Sequence, residues 1–354
     1  MRLTTLCYLE QDGKYLMLHR IVKKNDVNKD KWIGIGGKFE PGESPEDCVL
    51  REALEETGFL LTSYRLRGIV TFLFNQEEAE YMFLYTADGF TGQPVPCDEG
   101  TLEWIPKEEI DHLNLWEGDR IFFRLMEKGE PFFSLKLHYY GNRLSEAVLN
   151  GVPMELLDVL DESGEPSGLV RERSMVHERG DYHRTSHVWV VRTKADGGHE
   201  VLLQKRNSSR KTDVFAGCFD ISSAGHIPAG DGYLQSARRE LKEELGIRAS
   251  EEELELAGFF ESRYEGGIPG EPFTNHEKAA VYVYRKPVEA EHLVLQTSEV
   301  ESVRWMDLED ALRAAKTQAE GFCLEEEELR LLKKWLLEHA EASGGTPGTG
   351  PEAD

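Results

Sequence analysis

Six glutamates in this chain fall at spacings that suit metal chemistry. Glu52, Glu55 and Glu56 are one cluster, and Glu240, Glu243 and Glu244 are the other. On an α-helix, residues three and four apart share a face, so each cluster would project its carboxylates together. Like charges so placed repel, and an isolated helix would be weakened by them. A hard divalent cation removes that cost, because Mg²⁺ takes oxygen ligands in an octahedron completed by substrate phosphate and water. The bland alternative is a solvated acidic face. Two further features weigh against it. An arginine, Arg51 or Arg239, precedes each cluster and can hold a carboxylate by a two-pronged pair. A glycine, Gly37 or Gly225, opens the loop before each helix at the same distance.

The clusters belong to longer matching segments. Gly37 to Glu43, then Arg51 to Gly58, corresponds to Gly225 to Asp231, then Arg239 to Gly246, and paired positions such as Gly37 and Gly225 lie 188 residues apart. That period is the length of a whole domain and far exceeds a solenoid unit. Two homologous domains in series are therefore expected, covering 1–150 and 151–340. Tyr140-Gly-Asn-Arg is read as the end of the first unit and the apolar run Leu156–Leu160 as an early element of the second. Residues 341–354, rich in Gly, Pro and Ser, read as a disordered tail.

The elements that position the clusters are legible in outline. Strands are predicted at Leu3–Leu9, Tyr15–His19, Ile69–Phe74 and Tyr81–Tyr85. Their counterparts are Val188–Arg192, Val201–Gln204, Leu256–Ser262 and Ala279–Tyr284. Ser44-Pro45-Glu46 opens the first cluster's helix and Gly58 ends it. Cys48, Val49, Ala53 and Leu54 are its expected buried stripe. The second helix starts at Asp231 or Gly232 and stops at Gly246. A later helix is expected over Leu324–Glu338. Mixed strands with helices on either side predict an α/β/α sandwich for each domain.

Composition sets the partners. A net charge of −25 disfavours a nucleic-acid surface, whose binding rests on lysines and arginines neutralising phosphates. A small anionic substrate can still bind through a bridging metal. No apolar run reaches the roughly 18 residues of a membrane span, and the N-terminal residues read as two strands rather than a signal peptide. Five scattered cysteines without a CxxC pair predict reduced thiols and a cytoplasmic location.

Both segments resemble the Nudix box, G-x5-E-x7-R-E-U-x-E-E-x-G-U with U apolar. The first matches at every charged and glycine position. The second departs only in Asp231, where the pattern has Glu. The resemblance implies tandem Nudix-fold α/β/α domains that use Mg²⁺, or Mn²⁺, to cleave diphosphate bonds in nucleoside diphosphate-type small molecules. It makes Glu52, Glu55, Glu56, Glu240, Glu243 and Glu244 metal ligands, with Gly37 and Gly225 beside them, and makes Arg51 and Arg239 the residues that orient them. The general base stays open between Glu55 or Glu56 within the box and Glu99 or Glu299 outside it.

Beyond the box, Trp32 to Lys38 is similar to the segment that leads into it in MutT and the oxidised-purine nucleoside triphosphatases. Leu115-Trp116-Glu117-Gly118-Asp119 is similar to those enzymes' base-binding loop. By that resemblance Trp32 and Lys38 contact substrate, Trp116 stacks on the base and Asp119 reads its edge, which implies 8-oxo-dGTP or a related purine triphosphate. The chain has Ile33 and Gly118 where that group has polar residues. In the second half, Asp213–Ala229 and Asp181–His187 resemble Nudix proteins related to isopentenyl-diphosphate isomerase. That likeness places His183, His226 and Glu277, with His177 as a looser fourth, at a second metal site. Ala224 stands where the isomerase needs a cysteine, and Asn275 where it has a glutamate. The expectation is a hydrolase of unspecified diphosphate substrate. An isoprenoid diphosphate isomerase and a non-catalytic nucleotide sensor remain the alternatives, and the oligomeric state is open.

Overall fold

A computed structural model describes residues 1–22, 26–210, 213–268 and 271–339. The expected tail at 341–354 lies outside the described residues. The chain divides into two compact units. One is Met1–Leu156 with Leu169–Arg173, and the other is Leu157–Gly168 with the described residues from Ser174 on.

The first unit runs β1 (Arg2–Gln11), β2 (Lys14–Arg20), β3 (Trp32–Ile33), α1 (Pro45–Thr57), β4 (Phe59–Phe74), β5 (Glu80–Gly92), β6 (Gly100–Pro106), α2 (Glu117–Glu127), β7 (Phe133–Tyr140), β8 (Arg143–Leu149) and β9 (Val152–Pro153). Its sheet is mixed. β1 is parallel to β5 and antiparallel to β2, while β4 is antiparallel to β5 and parallel to β7. Successive side chains on a strand face opposite ways. On β1, Cys7 and Leu9 pack with Val49 and Ala53 of α1, whereas the ring of Tyr8 lies 4.7 Å from Phe123 of α2. Helices on both faces make the expected sandwich. Tyr140–Arg143 proves to be a hairpin turn joining β7 to β8 rather than an end.

The second unit contains β10 (Leu156–Leu160), β11 (Pro166–Glu172), α3 (Arg173–Arg179), β12 (Tyr182–Thr193), β13 (His199–Arg206), β14 (Phe219–Asp220), β15 (Ser223–His226), α4 (Tyr233–Leu245), β16 (Leu254–Ile268), β17 (Glu271–Tyr284), β18 (Val300–Asp307), α5 (Leu308–Lys316) and α6 (Glu326–Glu338), although some residues at its start belong to the first unit. β12 is its spine, parallel to β17 and antiparallel to β13 and β15. Val188 and Val190 face α4, and Trp189 and Val191 face α5 and α6.

Several strands exceed their sequence-based bounds. β4 spans Phe59–Phe74 where only Ile69–Phe74 was expected, because its first half alternates polar and apolar residues more weakly and is held by pairing with β5. Leu54 is a correction. It is 48% exposed, and the stripe continues instead through Glu56 and Thr57, which α1 buries together with Cys48, Val49 and Ala53. The helical period carries the face from Val49 through Ala53 to Glu56, so the apolar stripe passes directly into the acidic cluster. Among the described residues, no helix is long and apolar enough to cross a membrane, and all five cysteines are free.

Candidate functional site

Ser44 caps α1 by accepting from the Asp47 amide at 3.1 Å, and Gly58 closes it at φ 75° in the left-handed region that glycine tolerates. Thus fixed, α1 delivers its carboxylates to the loop before it. Glu56 is buried and accepts the Gly36 amide at 3.0 Å. Glu52 lies directly against Gly37, where a Cβ would stand 2.3 Å from the Glu52 Oε1 atom. Glu55 is the outward member, with 59% of its side chain exposed. Arg51 gathers the cluster. It donates to Glu52 at 2.9 Å, Glu55 at 3.2 Å and both oxygens of Glu43 at 2.7 and 3.0 Å. Those bonds hold the Glu43 carboxyl down at about 2.

The second cluster repeats this plan on α4, which Gly246 ends at φ 74°. Glu244 is buried and accepts the Ala224 amide at 3.1 Å. A Cβ at Gly225 would stand 2.2 Å from the Glu240 Cδ atom, and Arg239 holds Glu240 at 2.8 Å. Burial pushes the Glu244 carboxyl up to about 8. A divalent cation is the group that reverses such a shift. Two bare-glycine cradles, each facing a carboxylate row that runs from a buried to an exposed glutamate, have the oxygen-only donor set that fits Mg²⁺.

The remaining predicted residues of the first unit are placed as follows. Glu99 pairs with Arg20. Lys38 has an exposed side chain, and its carbonyl accepts from Arg51 at 3.0 Å. Trp32 stacks on His19 with ring centroids 4.5 Å apart. Trp116 is only 4% exposed. Its indole donates to Asn28 at 2.8 Å, its edges meet Phe72, Phe74 and Tyr139, and the Lys31 ammonium sits 4.4 Å from its ring centre. An open stacking platform is therefore not what the indole offers here, and a base would have to displace Lys31. Sequence reasoning missed Lys31 and Tyr139. The Tyr139 hydroxyl accepts from the Gly118 amide at 2.6 Å and fills the space a side chain at position 118 would occupy.

Asp119, in the first turn of α2, is buried, and no described side chain bonds its carboxyl. Burial raises its pKa from 3.8 to about 7, with Lys31 and Arg120 partly opposing. A carboxyl with a raised folded pKa stabilises the fold fully below the unfolded pKa and loses that contribution as pH rises through the folded value. Asp119→Asn should therefore remove a downward slope between pH 4 and 7. At pH 8 it should unfold at higher urea than the parent, by up to about 4 kcal/mol at roughly 1.4 kcal/mol per pKa unit. Parallel urea titrations of both proteins across that range check the sign.

In the second unit His177, His183 and His226 converge, with ligand atoms within 4.8 Å of one another and 3.2 Å between the Nε2 atoms of His177 and His226. His177, the looser expectation, is a full member. Glu277 is in register with His183 across β12 and β17 but turns to His187, 3.6 Å away. Burial works against its ionisation, and the hydrogen bond and charge of His187 outweigh it, holding Glu277 at about 2. His187 also meets Glu328 of α6 at 3.1 Å, and Glu328 accepts the Trp189 indole at 2.8 Å. Sequence reasoning missed His187 and Glu328. The period of two from His183 to His187 on one strand face was the available signal for the first. Ala224 pairs with His187 across the strands.

The NUDIX domain model matches residues 1–126 and 183–324. Nudix hydrolase 3 of Arabidopsis thaliana is 39% identical over 158 residues, covering 44% of this chain but only 20% of that protein's length. An uncharacterised Nudix hydrolase of Clostridium acetobutylicum is 35% identical over 179 residues, 49% of this chain and 82% of the relative. The oxidized purine nucleoside triphosphate hydrolase of Danio rerio is 31% identical over 132 residues, 37% of this chain and 83% of the relative. Among solved structures, a MutT protein from Bacillus halodurans aligns over 43% of this chain and 100% of its own, at 26% identity and a TM-score of 0.39.

Proposed function

The chain belongs to the Nudix family of pyrophosphohydrolases, and from that premise we propose that its two boxes are two separate Mg²⁺-dependent centres that cleave diphosphate bonds. The observation that carries this reading is the duplicated cradle, Gly37 against Glu52 and Gly225 against Glu240, each beside a buried glutamate, Glu56 or Glu244. Glu52, Glu55 and Glu56 would hold the cation in the first domain, and Glu240, Glu243 and Glu244 in the second, with Mn²⁺ as the substitute ion. Bound there, it would supply Lewis-acid polarisation of the phosphates and a more acidic water. Arg51 orients Glu52 and Glu55 by direct hydrogen bonds, and Arg239 orients Glu240.

For the first domain the proposed substrates are purine nucleoside triphosphates, oxidised purines included. The likeness to the Danio rerio enzyme and the buried, unbonded Asp119 support this. A half-protonated carboxyl can donate to or accept from a base edge. For the second domain the proposal stops at a diphosphate-containing small molecule. The His177, His183 and His226 set, with Glu277 behind it, is a proposed second cation site there.

Calorimetric titration of the full chain with Mg²⁺ and Mn²⁺, in the presence of a non-hydrolysable nucleotide, should show saturable binding at both boxes. Absence of any divalent-ion binding would end the reading. A substrate panel of nucleoside tri- and diphosphates, dinucleoside polyphosphates, ADP-ribose and isopentenyl diphosphate then assigns the activities.

A further inference from the structure

In the first box every N–H edge of Arg51 is engaged. Nε and Nη2 clasp the two oxygens of Glu43, Nη1 serves Glu52 and Glu55, and Nη2 also reaches the Lys38 carbonyl. This arrangement ties the loop to the helix. In the second box Asp231 stands where Glu43 would be, one methylene shorter, and the clasp is gone. Arg239 keeps bonds through Nη2 alone, to Glu240 at 2.8 Å and to the His226 carbonyl at 3.3 Å. Among the described residues its Nη1 makes no bond, and its Nε is buried without a partner. The Arg239 side chain is 36% exposed, against 22% for Arg51. A charged donor left unpaired in a partly buried place is costly.

The loop has a further anchor besides Arg239. Asp158 on β10 accepts the Gly230 amide at 2.9 Å and Arg184 at 2.8 Å, and Leu157 bridges to Pro228. A residue outside the box thus does in the second unit what the Glu43–Arg51 clasp does in the first.

We propose that Arg239 is a substrate-binding residue of the second site, its unpaired Nη1 donating to a phosphate oxygen of the diphosphate, whereas Arg51 is structural only. The proposal rests on the second box being a hydrolytic centre. The guanidinium stands one hydrogen bond from Glu240, a proposed ligand of the cation that would hold the same diphosphate. A guanidinium N–H that is always charged suits a phosphate oxygen. The shorter Asp231 is then what makes the second site different from the first, rather than a worn copy of it.

The test restores the family's own residue. Asp231→Glu should close the clasp and withdraw Arg239 from the substrate. Binding of methylenediphosphonate with Mg²⁺ to the full chain, read by calorimetry, should weaken about tenfold at one of its sites, a typical loss for one charge-assisted contact. The second activity should show a raised KM with kcat little changed. Arg239→Gln should weaken the same site by a similar factor, with Asp231→Glu as the variant expected to fold at least as firmly as the parent. Unchanged or tighter diphosphonate binding in Asp231→Glu overturns the proposal. Loss of the second activity in Glu243→Gln alongside that result would leave the hydrolase reading standing while the role of Arg239 falls. Full activity in Glu243→Gln would remove the hydrolase reading itself.

Discussion

Glu55→Gln is expected to abolish metal-dependent turnover of purine triphosphates by the first domain while leaving the second domain at its parental rate, and Glu243→Gln is expected to do the reverse. Each change removes one charge from a cluster whose other members are fixed, Glu52 and Glu56 against the loop in the first box and Glu240 and Glu244 in the second. The amide keeps shape and hydrogen-bonding reach but supplies no charge to a cation. Losses on the order of 10²–10³-fold in kcat accompany removal of one preorganised charge-stabilising group. The two boxes lie on different helices in different units, so the two effects are expected to be independent. Initial rates on the two substrates, measured with the full chain for both variants, give a two-by-two result. Full turnover by Glu55→Gln on triphosphates would contradict its place in the ligand set.

Glu328→Ala is expected to produce the largest loss of stability in the second unit. Glu328 is 2% exposed on α6 and is the common acceptor for the Trp189 indole and the His187 ring. Burial alone would lower the His187 pKa, but Glu328 and Glu277 together raise it well above the usual histidine value. Removing Glu328 leaves the buried indole N–H without its acceptor and takes away one of the two carboxylates that offset the burial of the His187 imidazolium. Breaking a buried ion pair from one side costs about 3–5 kcal/mol. A histidine with a raised folded pKa gives its full stabilisation below its unfolded pKa, near 6.5, and loses it as pH rises through the folded value. The gap between parent and variant in urea unfolding should therefore be widest at mildly acid pH and shrink in alkali. Glu328→Gln retains an acceptor for Trp189 and should lose less. A midpoint for Glu328→Ala within error of the parent at pH 6 would mean that the network does not hold α6 to the sheet.

The sequence made some of this plain and hid the rest for identifiable reasons. The boxes were legible because a repeat of charged residues and glycines at fixed spacing has few structural causes. The sandwich followed from strand runs and capped helices. Leu54 misled because hydrophobicity was counted by residue type, while the period of α1 gives the inner face to Glu56. The cover of Trp116 by Lys31 was not legible, because it depends on a loop distant in sequence, as the bond from Lys31 to the Leu115 carbonyl, 84 residues apart, shows. Glu328 looked like one of several acids opening a helix, and only the packing of α6 on β12 makes it an interior group.

The anchoring of the second box by β10 bears on how this protein can be divided. The stretch matched by the family model starts at residue 183, downstream of Asp158. A fragment cut at that point would carry the whole box and still lack the carboxylate that pins Gly230. A fragment that carries the second box with this brace must begin before Leu156, so that the strand that holds the loop is kept intact.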